Sequence, residues 1–282
     1  MKYKTLPLLL AGALLAGAML GGCAVYKKNP RQNPVVSGAT KGNPQVLLLG
    51  EVHDNPKGHK ARYEELRRRV EAGWRPAIAM EQFDRQDQDL LNAAQEGCMD
   101  AGCVIRVMDR KGWDWQQYYN IIQLALDHKL PIVAVNLSRA DASKVVRDGI
   151  ASSFDAKTVA EYRLNEPVSA DWRKAQENEI RTGHCDMLPA MMLPGMVDAQ
   201  MARDIWMAKL IRDQQPRDVV LIAGNGHVRK DIGVPRWLAA VGAKLTVETI
   251  GYVEGGNAKA QFDDVRTIPA QKRPDPCAKF KK

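Results

Sequence analysis

Four apolar runs in this 282-residue chain each end on a residue able to do chemistry. The run Gln45–Gly50 leads into Glu51-Val52-His53, and Pro76–Met80 leads into Glu81. Pro131–Val135 leads into Asn136, and Asp218–Ala223 leads into Gly224-Asn225-Gly226-His227. Carboxylates and imidazoles in such a set can bind a divalent metal, or exchange protons with a substrate if their pKa values are pushed apart. In an extended chain the side chains of Glu51 and His53, at i and i+2, point to the same side. The glycines flanking Asn225 suit a tight turn that lets backbone approach a ligand. Glu51, His53, Glu81 and His227 are therefore candidates for a metal-dependent hydrolytic site. There the metal or Glu51 would activate water, and a histidine would polarise the bond to be cleaved. Singly, each group is better read as tying loops and satisfying backbone at a strand end. As a set they point to one polar site.

These residues need a scaffold that delivers them to one place. The runs have strand length and are apolar throughout, the pattern of strands covered on both faces in a parallel sheet. A fifth strand is expected over Lys244–Tyr252. Between them lie helical patterns: a charged helix from about Lys60 to Ala72 before Gly73, another over Asp84–Ala94, and one through Trp115, Tyr119, Ile122 and Leu126 with Asp114 as its cap. The stretch 140–214 carries several helical segments and no convincing strand. The expectation is an α/β fold with a mostly parallel sheet flanked by helices, and a helical subdomain inserted between the third and fourth strands. In open sheets of this kind ligands bind outside the carboxyl ends of the strands, where the four polar groups fall. His59 and His128 open and close charged helices and read as structural. Trp113, Trp115, Tyr118 and Tyr119 read as core.

The first 22 residues have a different logic. Lys2 and Lys4 precede an apolar run, Leu6–Met19, which ends in Leu20-Gly21-Gly22-Cys23. Charged start, apolar stretch and small residues before a cysteine form a lipoprotein signal, and the run is short of the about 20 apolar residues a spanning helix needs. Cys23 is the expected lipidation site. Ala24 behind it, in a Gram-negative host, resembles lipoproteins sorted to the outer membrane. Residues 23–44, broken by prolines and glycines, read as a lipidated tether. Residues 45–255 are the expected folded domain, and 256–282 a basic tail suited to an anionic lipid surface. Loss of the two signal lysines takes the formal charge from +8 to +6. An export signal argues against a nucleic-acid partner despite that basic balance. Cys98, Cys103, Cys185 and Cys277 make an even count for an oxidising compartment, with three possible pairings. The short Cys98–Cys103 spacing suits a local staple, which would leave Cys185 to pin the tail through Cys277. No Cys-x-x-Cys-His occurs, so covalent c-type haem attachment is excluded.

Several stretches together resemble the ChaN family of haem-binding lipoproteins: Leu49-Gly50-Glu51-Val52-His53-Asp54-Asn55, Met80-Glu81-Gln82-Phe83, Val135-Asn136-Leu137-Ser138-Arg139 and Gly224-Asn225-Gly226-His227-Val228-Arg229. His184-Cys185-Asp186-Met187-Leu188-Pro189, Met196-Val197-Asp198-Ala199-Gln200 and Arg203-Asp204 are similar to the same family. The resemblance spans about residues 45–252. It implies haem binding, a role in haem or iron uptake or storage at the envelope, a possible homodimer, and an outer-membrane haem receptor as a candidate partner. The wider superfamily holds Tiki/TraB-type and erythromycin-esterase-like proteins, in which the Gly-Glu-x-His element belongs to a hydrolytic or metal-dependent site.

Haem asks for apolar surface, an axial ligand and basic groups for its propionates. Six of the eleven methionines fall between Met187 and Met207, a supply of adaptable, polarisable side chains. Pro189 and Pro194 break helix among the earlier ones, whereas Met201, Ile205 and Ala208 have core spacing. The expected haem-binding residues are His184 as first-choice ligand, Tyr162 as second, Met187 and Met191 as apolar surface, and Arg181 for a propionate. Arg163, Arg173 and Arg203 are further candidates for the propionates, and Met192 and Met196 for the surface.

Overall fold

A computed structural model describes residues 42–278 apart from 109, 110, 257 and 276. The signal, Cys23 and most of the tether lie outside the described residues. Six strands form one parallel sheet: β1 (Val46–Leu49), β2 (Ala77–Asp84), β3 (Ile132–Asn136), β4 (Val219–Ile222), β5 (Val247–Val253) and β6 (Asp264–Thr267), in the order β3-β2-β4-β1-β5-β6. The α/β class and the parallel sheet agree with the sequence reading. The sixth strand does not: it comes from the segment read as a basic tail. Val265 is flanked there by Asp264 and Arg266, a polar pattern that an edge strand tolerates and that carries no apolar-run signal.

Alternate residues of the central strands feed two cores. Val46, Leu48, Ala77, Ala79, Val219 and Leu221 face one cluster, and Leu47, Leu49, Ile78, Met80, Val220 and Ile222 face the other. The second cluster is closed by α1 (Pro56–Glu71), α2 (Gln88–Gly97), α3 (Ala101–Met108) and α4 (Tyr119–Asp127). Helix α1 starts four residues before the sequence suggested. Asn55 accepts from the N–H groups of Lys57 and Gly58 at 3.0 Å, and Pro56 has the preset φ a first turn needs. Strand β2 also runs past Met80 to Asp84, with a register shift against β3, because Glu81, Gln82 and Phe83 are buried rather than released into a loop.

The insertion between β3 and β4 consists of α5 (Arg139–Asp148), α6 (Ala156–Glu161), α7 (Ala170–Gly183) and α8 (Leu193–Arg212). Helix α8 is its spine, burying Val197, Met201, Ile205, Ala208 and Ile211 in the first core. After β4 come the single turn α9 (Asn225–Val228) and α10 (Val234–Ala240). Among the described residues no helix is long and apolar enough to cross a membrane. Cys98 pairs with Cys103 and Cys185 with Cys277.

Candidate functional site

Register explains why the polar residues share an edge. Leu49 of β1 and Met80 of β2 both pair with Ile222 of β4, so Gly50-Glu51 and Ala223-Gly224 leave the sheet on either side of Glu81, which stays within β2. Close approach there depends on glycine. A Cβ on Gly50 would stand 2.2 Å from Asn225 Oδ1. Asn225 uses that space to bridge to β5, donating to the Tyr252 carbonyl at 2.6 Å and accepting its N–H at 3.2 Å. Asn225 is thus a clamp between strands.

The four predicted residues form two linked pairs. Glu51, 3 % exposed, is a structural hub. Its Oε1 accepts from the Tyr118 hydroxyl at 2.6 Å, from His53 Nδ1 at 2.7 Å and from Gln82 Nε2 at 3.2 Å. Its Oε2 meets the guanidinium of Arg62, which is wholly buried. Burial lowers the Arg62 pKa from its ordinary value and raises that of Tyr118, leaving the guanidinium charged and the phenol neutral at neutral pH. Arg62 donates at 2.7 Å to His59 Nδ1, and His59 Nε2 donates to the His53 carbonyl at 2.9 Å. Burial holds the His59 pKa down, as this neutral tautomer requires. His59 is structural, as its sequence position suggested.

The second pair centres on His227. Its Nδ1 donates to Asp204 Oδ1 at 2.5 Å, its Nε2 faces Glu81 Oε1 at 3.5 Å, and the Gln200 amide lies 3.3 Å from both ring nitrogens. Burial alone would lower the His227 pKa, but the Glu81 and Asp204 carboxylates raise it to about 10. Burial would raise Glu81, but the imidazolium and the Gly224 N–H, donating at 2.8 Å, hold it at about 2. Asp204 is pushed up by burial, only partly offset by His227. The pairs approach each other at Gly224, where an added Cβ would lie 3.0 Å from His53 Nε2 and 3.7 Å from Glu81 Oε2. His53 is the partly exposed member, its side chain 48 % accessible and its ring edge-on to Trp113 at 5.1 Å.

Among the described residues no group of three or more His, Cys, Asp or Glu side chains is arranged to hold a metal ion. The divalent-metal expectation for Glu51, His53, Glu81 and His227 therefore finds no support. Arg62 and Tyr118 occupy Glu51, and Asp204 occupies His227. Sequence reasoning gave no role to Arg62, placed Tyr118 only as core, and offered Asp204 only within the family resemblance. Two signals were there: Arg62 lies on the buried stripe His59, Leu66, Val70 of α1, and Asp204 interrupts the apolar stripe of α8.

The residues proposed for haem fall elsewhere and divide. His184 caps α7 partly exposed, and its Nδ1 donates to the Ile180 carbonyl at 2.7 Å, so Nε2 is the nitrogen that this bond does not engage. Immediately after it Met187, Met191 and Met192 are 56 %, 88 % and 43 % exposed, and Arg181 is exposed. Met196 packs at the core margin, while Met201 and Met207 are core. Tyr162 is buried, with its hydroxyl accepting from Arg212 at 3.2 Å and burial raising its pKa. It lines a cleft of about 520 Å³ with Trp172, Trp237, Met201, Arg163 and Arg173, and His184 takes no part in that lining.

A parallel α/β sheet with a four-helix insertion and a Glu/His edge defines the class of protein. Residues 40–238 match the family model described as haem-binding uptake, Tiki superfamily, ChaN. The chain belongs to that family. Among solved structures it is similar to ChaN of Campylobacter jejuni with cofacial haem, at 21 % identity and a TM-score of 0.66, over 79 % of this chain and 86 % of that one. That likeness is one of fold. The type III effector HopBA1 aligns at 11 % identity with a TM-score of 0.44, over 80 % of this chain and 88 % of that one. The erythromycin esterase EreC aligns at 14 % identity with a TM-score of 0.40, over 74 % and 70 %. No curated protein sequence matches the chain.

Proposed function

We propose that the protein binds haem on the methionine-rich surface after α7, with His184 Nε2 as axial ligand. In this reading it is a lipoprotein anchored through Cys23 on the periplasmic side of the outer membrane, and serves haem uptake or storage there. The observation that carries the ligand assignment is the His184 Nδ1–Ile180 carbonyl bond. In the neutral ring this bond selects the tautomer whose unprotonated nitrogen is Nε2, the form an iron ligand takes. The residues fit haem: an oriented imidazole, three exposed thioether side chains and Arg181 beside them. Tyr162 fits less well, since its hydroxyl is already engaged by Arg212 and burial disfavours its phenolate more than that arginine favours it. A second copy of the chain could cover the exposed methionines, and an outer-membrane haem receptor is the candidate donor or acceptor. Haem titration followed by the Soret band tests the site. Saturable binding is expected, lost in His184→Ala and kept in Tyr162→Phe; the reverse pattern would move the ligand to Tyr162.

One observation favours a second, hydrolytic reading. His53 is oriented by Glu51 and partly exposed, the arrangement of a general base. Hydrolysis of an activated ester that disappears in His53→Ala, with haem binding unchanged, would establish it.

A further inference from the structure

The turn that presents His184 is fastened to the far end of the chain. Helix α7 stops at Gly183, and the backbone then passes through Cys185 and Asp186 with φ of 57° and 54°. Consecutive non-glycine residues in the left-handed region persist only where surrounding structure imposes that conformation. Backbone bonds fold the turn: Cys185 N–H to the Thr182 carbonyl at 3.1 Å, Asp186 N–H to Arg181 at 2.9 Å, and Met187 N–H to His184 at 3.0 Å. The remaining constraint is covalent, the bond from Cys185 to Cys277 across 92 residues.

Cys277 ends a strap that is itself anchored. After β6 the chain passes the carboxyl edge of the sheet, where Asn55 donates to the Pro269 carbonyl at 2.8 Å. The Gln271 N–H donates to Glu254 at 3.0 Å, and Arg273 forms paired bonds at 2.7 Å to both Asp54 and Glu254. The strap therefore starts beside the Glu51–His53 edge and ends one residue from His184. Both sulfur-bearing residues at its end are only partly buried, so a thiol can reach them.

We propose that the Cys185–Cys277 disulfide is a redox latch on the haem surface: closed, it holds the His184–Met187 turn in its binding shape, and opening it releases haem. This rests on the haem reading above. The reductant is a dithiol. Its two sulfurs give two electrons and two protons to the bond, which opens to two cysteine thiols as the dithiol closes to its own disulfide. The design suits a protein that holds cargo in an oxidising compartment and surrenders it to a reducing partner.

The test uses the full chain in detergent micelles, carrying Cys98→Ser and Cys103→Ser so that one disulfide remains. Haem affinity is measured for the oxidised protein, for protein reduced with dithiothreitol, capped with iodoacetamide and desalted, and for the further Cys185→Ser/Cys277→Ser variant. Hydrogen exchange over residues 269–275 reports strap release without reference to haem. The expected result is at least a tenfold loss of affinity in both opened forms, together with faster exchange. Faster exchange with haem affinity unchanged within twofold overturns the latch and leaves the haem reading intact. No saturable binding even in the oxidised protein overturns both.

Discussion

Asp204 and His227 meet at 2.5 Å although one lies on α8 of the insertion and the other follows β4 of the sheet. With Glu81 3.5 Å from the second ring nitrogen, a buried imidazolium is bracketed by carboxylates from two layers. The insertion is therefore joined to the sheet by charge as well as by apolar packing. Removing one partner of such a set leaves the others buried and uncompensated, and this makes the arrangement costly to break.

Asp204→Asn keeps the shape and removes the charge. Because burial disfavours the Asp204 carboxylate even beside His227, the variant is expected to lose only about 1–3 kcal/mol in urea unfolding, less than the scale for breaking a favourable buried ion pair. A loss below about 1 kcal/mol would mean that the pair contributes no more than a surface one.

The same cluster, through His227 and Glu81, sets a pH signature. The folded pKa of His227 is raised from 6.5 to about 10, so its stabilisation is complete below pH 6.5 and is lost as pH rises toward 10. Glu81 is depressed from 4.5 to about 2, so its contribution is complete above pH 4.5 and is lost as pH falls toward 2. A Tm profile should be highest between these limits and slope down on the alkaline side. His227→Gln should lower the profile and flatten that alkaline slope; an unchanged slope would count against the ion pair as its cause.

The edge was legible in the sequence because each member ended an apolar run, and a parallel sheet aligns such ends. Its partners were not. Arg62 stands in α1 among Arg67, Arg68 and Arg69, three arginines paired with glutamates of the same helix, and only its place on the stripe of His59, Leu66 and Val70 sets it apart from them. Tyr118 looked like core and is core, yet its hydroxyl is the shortest donor to Glu51 Oε1. Of the methionines, Met201 could be assigned to the core by helical spacing, whereas Met207, also core, was not. Met187 is exposed in the turn before Pro189, and Met191 and Met192 in a single 3-10 turn between Pro189 and Pro194, segments too short for periodicity to say anything. Strand β6 escaped because an edge strand needs few apolar residues.

Glu51 and Arg62 test whether the edge is scaffold or chemistry. Glu51→Ala strands a buried guanidinium and should cost about 3–5 kcal/mol. Adding Arg62→Met removes the orphaned charge and should recover much of that loss in denaturant unfolding. Recovered stability with haem binding intact would assign the pair to scaffolding, whereas a fold that stays weak would show Arg62 to be needed for its other partners.

The exposed methionines separate binding from folding. Because Met187, Met191 and Met192 are 56 %, 88 % and 43 % exposed, replacing all three by serine should change stability by no more than about 0.5 kcal/mol per site. Haem affinity should nonetheless fall about tenfold as apolar surface is withdrawn, on the order of 1.4 kcal/mol. Unchanged affinity would place haem away from this loop.

Gly50→Ala examines the close approach under the edge. The new methyl would stand 2.2 Å from Asn225 Oδ1, and Asn225 is anchored at both ends of its amide to the Tyr252 backbone. Relief requires the amide to leave, exposing a buried carbonyl and N–H, or β1 to shift against β4. A loss of about 2–4 kcal/mol is expected, combining overpacking with an unsatisfied backbone group. Asn225→Ala should cost less, about 1–3 kcal/mol, since it loses the bridge without forcing the strands apart. The double variant Gly50→Ala/Asn225→Ala should then be more stable than Gly50→Ala alone, because the methyl enters the space the amide has vacated. If the double variant is instead the weakest of the three, the clash lies with backbone and the clamp is not what requires glycine at position 50.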